Sequence, residues 1–160
     1  MFNIFGFYKF KKLNNLKKLK NRLENNLKDY EIRGTIIISP EGVNGTISDK
    51  KNNLLKFKKL LKKILSIKKF NSENNSNSKF NPFHKLKIKI KKEVVPMGFK
   101  VRNYNFPKNN LNPREWNKII KKKDTVLIDA RKSFEYDVGT FKKSLNPNIE
   151  NFREFPKYLN

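Results

Sequence analysis

The chain has 160 residues, enough for one ordinary domain or two small ones, and 38 basic residues against 14 acidic ones give it a net charge of +24. This balance favours an anionic partner, with nucleic acid as the first candidate, although Lys is abundant throughout and compositional drift is an equally good explanation. The absence of cysteine excludes disulfides and Cys-based metal sites in this sequence, and the single His84 cannot form a metal site alone.

Hydropathy gives no sign of a membrane protein. No apolar run approaches the ~18 residues that a membrane-spanning helix needs. The first residues lack the basic-then-apolar order of a signal peptide. Only 36% of the residues are hydrophobic, but they fall in periodic blocks, which is typical of folded chains. We therefore expect a folded cytoplasmic protein without a membrane partner.

Residues 1–95 have the pattern of one mixed helix and strand domain. In chain order the pattern first predicts a strand at Phe2–Phe10, a helix at 13–27, a strand at 32–39, a turn at 40–45 and a strand that ends near Ser48. A second helix follows, capped by Ser48 or Asp49, and its buried residues are Leu54, Phe57, Leu61, Ile64 and Leu65. The last predicted element is a strand at Leu86–Ile90. The Asn- and Ser-rich segment 71–82 is expected to be a mobile loop.

This order, βαββαβ, predicts an α+β domain of the ferredoxin-like or acylphosphatase-like type. In such a domain an antiparallel sheet carries both helices on one face and leaves the other face free. Acylphosphatase activity does not follow, because that chemistry needs a phosphate-cradling loop with an Arg after the first strand. The connection at 11–14 is Lys-Lys-Leu-Asn and contains no glycine.

Residues 96–111 lack a strong period and are interpreted as a linker, and residues 112–160 have the pattern of an α/β unit. Asn112, Pro113 and Glu115 are typical of a helix start, and Trp116, Ile119 and Ile120 would face the core of this unit. The later elements are predicted as a strand at 125–128 buried on both faces, a helix at Ser133–Val138 ended by a left-handed Gly139, a short strand near 141–145 and a helix at 148–159.

Several short motifs occur together in an order that resembles one family. They are Pro-Glu-Gly-Val-Asn-Gly at 40–45, Glu-Val-Val-Pro-Met-Gly at 93–98, Asn-Pro-Arg-Glu-Trp at 112–116, Asp-Ala-Arg at 129–131 followed by Gly139, and Phe-Arg-Glu-Phe-Pro at 152–156. Each motif is weak alone, but their shared order over most of the chain is specific. Together they resemble the N-terminal portion of the rhodanese-domain tRNA uridine(34) hydroxylases.

The resemblance implies an acylphosphatase-like domain followed by the truncated start of a rhodanese-like domain. It also implies an enzyme that converts the wobble uridine of certain tRNAs to 5-hydroxyuridine with molecular oxygen as co-substrate and without a bound cofactor or metal. The expected partner is the anticodon stem-loop of tRNA, whose bases are already unstacked. The oligomeric state is left open.

The chain departs from the family where the chemistry would occur. In the family the reactive cysteine lies in a loop after the next strand of the rhodanese-like sheet, and this sequence stops at Asn160 without any cysteine. Ala130 and Lys132 also replace the small polar residues expected around the Asp-x-Arg turn. We therefore expect either a fragment of a longer protein or a non-catalytic remnant, and no catalytic residue in this chain. Sulfurtransferase activity is an alternative for a complete protein that carries a persulfide cysteine.

The candidate site residues each have a structural alternative. Asp129, Arg131 and Glu135 are candidates for the wall of the active site, because ligands of parallel α/β sheets bind beyond the carboxyl ends of strands. The structural alternative is that Asp129 accepts backbone N–H bonds in its turn while Arg131 pairs with Glu135.

The second set of candidates would bind RNA. Lys85, Lys87, Lys89 and Lys91 line one face of the predicted last strand and are candidates for phosphate contacts, or form only a solvated face. Phe2, Phe5 and Phe7 could stack on bases from an open sheet, or pack in the core. Glu41, Asn44 and Gly45 could present a loop to substrate, or form only a tight hairpin.

Overall fold

A computed structural model describes residues 1–96, 98 and 111–160, and it divides into two compact units, Met1–Val95 and Pro96–Asn160. Most of the predicted linker at 96–111 lies outside the described residues.

The first unit contains five strands and two helices among its described residues. They are β1 at Phe2–Phe10, α1 at Leu16–Leu27, β2 at Arg33–Ser39, β3 at Gly42–Asp49, α2 at Lys51–Leu65, β4 at Ser72–Ser78 and β5 at Leu86–Ile90. The strands form one sheet in the order β4-β1-β3-β2-β5. All pairs are antiparallel except β2 with β5, which is parallel. The predicted α+β class is confirmed, and the sheet is mixed.

One face of the sheet carries the core. The stripe of leucines on α1 and the apolar stripe of α2 pack on the strand residues that point to this face, because a helix with apolar residues three and four apart must bury that side. Phe5 and Phe7 lie in this core, fully or almost fully buried, and their rings stack at 5.0 Å. Burial of these aromatic rings adds to the apolar area that holds the layers together.

The C-terminus of α2 is stabilised by a side chain from the start of the chain. Lys11 donates from Nζ to the carbonyl oxygens of Leu65 and Ser66 at 2.8 and 2.7 Å. A cation at this end satisfies carbonyls that have no helical partner and complements the helix dipole. At the other end of α2 the predicted cap is wrong. The N-cap is Lys50 without a side-chain bond, and the buried Asp49 instead accepts hydrogen bonds from the Lys50 N–H and the Asn53 amide.

The prediction of a mobile loop at 71–82 is wrong for most of its length. Ser72–Ser78 forms β4 and pairs with β1 along seven residues, from Phe2↔Ser78 to Tyr8↔Ser72. Asn and Ser have low strand propensity, but an unpaired edge of β1 offers a full row of backbone donors and acceptors. The strand that completes βαββαβ is therefore β4, and Leu86–Ile90 is an additional strand on the opposite edge.

The second unit contains short elements. They are α3 at Pro113–Ile119, α4 at Ser133–Val138, a 3₁₀ turn at Phe152–Glu154 and α5 at Phe155–Leu159. Asn112 caps α3 in a capping box with Glu115, as its sequence predicts. Trp116, Ile119 and Ile120 are half-buried, so the predicted inward face of α3 is only partly covered.

The strands predicted for this unit are reduced to one parallel bridge between Ile128 and Leu145. Val126 is 68% exposed, so the prediction of a strand buried on both faces is wrong for the described chain. A strand is buried on both faces only where layers cover both, and a single pairing partner does not provide them. Gly139 has φ 163°, an extended rather than a left-handed value, and the last helix begins at Phe152–Phe155 rather than at 148.

Candidate functional site

The face of the sheet opposite the helices is open along its middle. Because side chains alternate along a strand, burial of Phe5 and Phe7 places Ile4, Gly6 and Tyr8 on this other face. The pairing register lines up their neighbours in rows across the five strands. One row is Ser72, Tyr8, Asn44, Ile37 and Lys89, and the next is Asn74, Gly6, Thr46, Thr35 and Lys87.

The four lysines around β5 lie where the sequence predicts a basic strand face. Lys85, Lys87, Lys89 and Lys91 are all exposed. Ile88 is buried against the core, while Ile90 is 41% exposed, so the alternation is complete only in the middle of β5. Lys87 and Lys89 therefore end the two rows on the open face, and Lys85 and Lys91 flank them at the strand ends.

The hairpin residues singled out from the sequence are used for internal contacts. Glu41 Oε1 accepts a hydrogen bond from the backbone N–H of Val94 at 2.7 Å, and Asn44 Nδ2 donates to the Val94 carbonyl at 3.5 Å. Val94 is 2% exposed. Gly45 allows the ring of Phe7 to lie over β3, because a Cβ at this position would be 2.7 Å from Phe7 Cζ. These contacts support the structural alternative for all three residues.

Asp129 and Arg131 form a closed hydrogen-bonded turn in the second unit. Arg131 donates from Nε and its terminal nitrogen to the Asp129 carboxylate at 2.6 to 3.1 Å, and from the same terminal nitrogen to the Gly139 carbonyl at 2.7 Å. The carboxylate also accepts from the Arg131 backbone N–H at 3.1 Å and from Thr140 Oγ1 at 2.8 Å. The side-chain hydrogen bond from Arg131 is the main reason that the pKa of Asp129 lies well below its usual range.

Glu135 does not pair with Arg131 in the described chain, so that part of the structural alternative is wrong. Its carboxylate accepts from the Lys132 backbone N–H at 3.4 Å, at the N-terminus of α4, where a negative charge complements the helix dipole. Arg131 is drawn to Asp129 instead because the Asp-x-Arg spacing lets one guanidinium span both carboxylate oxygens. The pKa of Arg131 is raised by this hydrogen bond, with a smaller contribution from the charge of Glu135.

A cavity of about 530 Å³ lies beside this turn. Its lining residues are Trp116, Leu127, Ile128, Asp129, Arg131, Gly139, Thr140, Phe141 and Ser144. The Trp116 ring lies 5.6 Å from that of Phe141, and its buried indole N–H has no hydrogen-bond partner. The three wall candidates are thus split: Asp129 and Arg131 line the cavity, whereas Glu135 is not among its lining residues.

The sequence analysis did not identify Tyr8 and Gly6 as residues of the open face. The signal was present, because a strand that turns Phe5 and Phe7 inward must turn residues 4, 6 and 8 outward. Asn74 could not be found in this way, since nothing in the Asn- and Ser-rich run predicts pairing with β1. Among the described residues no group of His, Asp and Glu could hold a metal ion, and no helix is long and apolar enough to cross a membrane.

Comparison with known proteins gives consistent matches along the chain. Residues 2–94 match the model of the UPF0176 acylphosphatase-like domain. A tRNA uridine(34) hydroxylase of Pelagibacter ubique is 61% identical over 160 residues, which is 100% of this chain and 53% of that protein. The proteins of the same name from Legionella pneumophila (strain Corby) and Acinetobacter baumannii (strain AYE) are 37% and 36% identical, over 98% and 96% of this chain and 61% and 48% of theirs.

The chain therefore spans about half the length of the curated relatives that it matches. Among solved structures, the manganese and cyclic-diGMP complex of Klebsiella pneumoniae BlrP1 aligns with 56% of this chain and 24% of that one, at 16% identity and a TM-score of 0.40. The family match rests instead on the model that covers residues 2–94, which is more than half of the chain. The chain belongs to the UPF0176 family, the tRNA uridine(34) hydroxylase family, and corresponds to its N-terminal portion.

Proposed function

We propose that this chain is the N-terminal, RNA-binding part of an enzyme that hydroxylates the wobble uridine of tRNA to 5-hydroxyuridine, with molecular oxygen as co-substrate and no bound cofactor. The observation that carries the proposal is the 61% identity along the whole chain to a protein named tRNA uridine(34) hydroxylase. Identity at this level over an alignment that covers the whole chain favours a shared activity of the complete proteins. The cytoplasm, where tRNA is found, is the compartment that fits.

The first unit supports a role in binding RNA. It holds 24 basic and 7 acidic residues, a difference of +17, within residues 1–95. Lys85, Lys87, Lys89 and Lys91 are exposed at one edge of its open face. An excess of positive charge beside an open sheet attracts the phosphate backbone and speeds encounter with it. We assign these four lysines to contacts with the phosphates of the anticodon stem-loop.

The second unit is proposed to begin a rhodanese-like domain. The parallel bridge between Ile128 and Leu145, followed directly by the Asp129 turn and then α4, fits the start of such a sheet. All the polar atoms of the Asp129 carboxylate are engaged within the turn, so we assign Asp129 and Arg131 to shaping the mouth of a site rather than to chemistry. The resemblance to the family implies a cysteine as the reactive group, and this chain contains none.

Two other functions are alternatives to the hydroxylase. A basic RNA-binding module without catalysis is favoured by the charge of the first unit alone. A sulfurtransferase is favoured by the rhodanese-like assignment of the second unit, because such domains commonly carry persulfide sulfur.

Expression in a bacterial strain whose tRNA lacks 5-hydroxyuridine tests the proposal. The whole open reading frame that encodes this chain should restore 5-hydroxyuridine in digested tRNA, measured by mass spectrometry. The 160-residue chain alone should restore none, because it lacks the cysteine.

Each other result decides between the alternatives. Thiolated uridine in place of hydroxyuridine would favour the sulfurtransferase. Unmodified tRNA with the whole reading frame well expressed would contradict the hydroxylase and leave the non-catalytic module. Hydroxylation by the purified 160-residue chain would show that the cysteine is not required.

A further inference from the structure

The open face of the first unit contains a flat area next to an exposed aromatic ring. Tyr8 is 38% exposed, and the ring of Phe10 meets it edge-on at 5.9 Å, which supports the orientation of the tyrosine. Two residues earlier on the same strand and face is Gly6. The area beside the Tyr8 ring is therefore bare backbone, bordered by Asn74 on β4 and Thr46 on β3.

Gly6 is not required by the fold. A Cβ at this position would meet Asn74 Cβ at 3.7 Å and Thr46 Oγ1 at 3.8 Å, which are ordinary van der Waals contacts, and its φ is not in the left-handed region. Gly45 differs, because a Cβ there would press on Phe7 at 2.7 Å. A glycine inside a strand weakens it by roughly 0.5–1 kcal/mol, and close approach of another molecule is one reason for a strand to carry one.

The residues around the bare area indicate which kind of molecule would bind there. Asn74 and Thr46, which border the bare area, present hydrogen-bonding groups, and the same rows end in the exposed lysines Lys87 and Lys89. Three strand spacings of about 4.8 Å place these cations roughly 14 Å from β1. A flat π-system, polar groups at its edge and cations at a distance match a nucleobase with its neighbouring phosphates.

We propose that Gly6 and Tyr8 form a floor that binds one unstacked base of a single-stranded RNA loop, with the base against the Tyr8 ring and its edge toward Thr46 and Asn74. This inference rests on the proposed tRNA-binding function and adds where, and by which residues, the loop is held. A paired duplex does not fit the floor, because its bases are paired and stacked within the helix and only its end pairs have a free π-face.

Binding of two RNAs to the full 160-residue chain tests the floor by fluorescence anisotropy. The first probe is a hairpin with an anticodon-type loop, and the second is a blunt duplex of the same stem without the loop. Tyr8→Ala should weaken hairpin binding about 5- to 150-fold and leave duplex binding unchanged, while Tyr8→Phe retains the ring and should stay within about twofold of the parent.

Gly6→Val tests the floor by adding a side chain instead of removing one. Valine suits a strand, so the thermal unfolding midpoint should be unchanged or higher, while the branched side chain should cover the floor and weaken hairpin binding as much as Tyr8→Ala does. The matched control is Tyr158→Ala, which removes a tyrosine of similar exposure, 41%, from the second unit. This control should leave both affinities unchanged.

The outcomes separate the floor from the proposed function. If the parent chain binds the hairpin and both Tyr8→Ala and Gly6→Val bind it equally well, the floor is wrong and the RNA-binding role stands. Equal losses on hairpin and duplex would also overturn base stacking. If the parent binds neither RNA, the floor and the RNA-binding role of this chain are both overturned.

Discussion

Asp129 and Arg131 show how two residues two positions apart can organise a turn. The guanidinium reaches back to the carboxylate and also holds the Gly139 carbonyl, so one side chain joins the end of the Ile128 segment to the end of α4. Thr140 adds a further hydrogen bond to the carboxylate. The charged form of Asp129 is favoured by each of these donors, which is why its pKa falls.

Asp129→Asn should destabilise the second unit at neutral pH and make no difference in strong acid. Because the folded-state pKa of Asp129 is depressed, its stabilisation is present above the unfolded value of about 3.9 and is lost as the pH falls toward the folded pKa. Trp116 is the only tryptophan of the chain and contacts Phe141 in this unit, so its emission reports the unfolding.

The thermal midpoint of the variant should lie below that of the parent at pH 7, and the gap should close as the pH falls below about 4. Asp137→Asn, on the exposed side of α4, is the matched control and should show no such gap. A gap of constant size down to pH 2 would contradict the assigned charge interaction.

At the scale of elements, β4 is stabilised from outside its own sequence. Its backbone pairs with β1, and Glu73 is held by two lysines of α2, Lys58 at 3.2 Å and Lys62 at 3.4 Å. Lys58 also lies 3.8 Å from the centre of the Phe5 ring. These contacts link the edge strand to the helix layer and to the core, and they explain why a polar run is ordered here.

Glu73→Gln should weaken this link in a pH-dependent way. Burial alone would raise the pKa of Glu73, but its hydrogen bonds and charge interactions with Lys58 and Lys62 together outweigh burial, and the pKa is lowered. Its contribution is therefore present above the unfolded value of about 4.3 and lost as the pH falls. The Glu73 side chain is 32% exposed, so we expect Glu73→Gln to lower the free energy of unfolding at pH 7 by about 1 kcal/mol or less.

Chemical unfolding followed by circular dichroism measures the loss in free energy of unfolding caused by Glu73→Gln. This loss should disappear below about pH 4. Glu24→Gln removes the more exposed pair with Lys20, at 3.5 Å, and should cost less than Glu73→Gln at neutral pH. Equal costs for the two variants, or a cost for Glu73→Gln that persists in acid, would show that the lysines of α2 do not stabilise β4 through charge.

At the scale of the whole molecule, the charge of +24 is spread over both faces of the first unit and over the second unit. The lysines around β5 are distinguished by position rather than by number, since they border the open face. Lys56 and Lys59 are equally exposed but lie on α2, on the opposite side of the sheet. Comparing the two sets of lysines therefore distinguishes specific phosphate contacts on the open face from general attraction between opposite charges.

Replacing Lys85, Lys87, Lys89 and Lys91 with Gln should flatten the salt dependence of tRNA binding. Each phosphate contact that is lost should reduce the slope of log K against log salt concentration by about 0.7 to 0.9. Lys56→Gln with Lys59→Gln is the control and should leave the slope nearly unchanged. The same slope in the fourfold variant and the parent would contradict the phosphate contacts, and equal flattening per lysine in the twofold control would point to general attraction.

Much of the first unit could be predicted from local pattern. The strand at Phe2–Phe10 was predicted with the observed bounds. The spacing of apolar residues placed the buried stripe of α2 and predicted α1, which begins at Leu16 rather than at residue 13. The Asn112 cap and the helix at Ser133–Val138 were also predicted from a few adjacent residues. These features are readable because the side-chain period and the capping chemistry depend on residues within one or two turns of each other.

By itself the sequence determined the α+β class, the family and the buried stripe of α2, because periodicity records which side of an element is buried. Only the tertiary structure decided that β4 takes the edge beside β1, that β5 lies parallel to β2, and that Arg131 joins Asp129 rather than Glu135. It also decided that Gly6 and Tyr8 lie in two rows across the sheet that end in Lys87 and Lys89. Strand order and ion-pair choice depend on backbone and side-chain groups far apart in the chain, and no local pattern encodes which of them will meet.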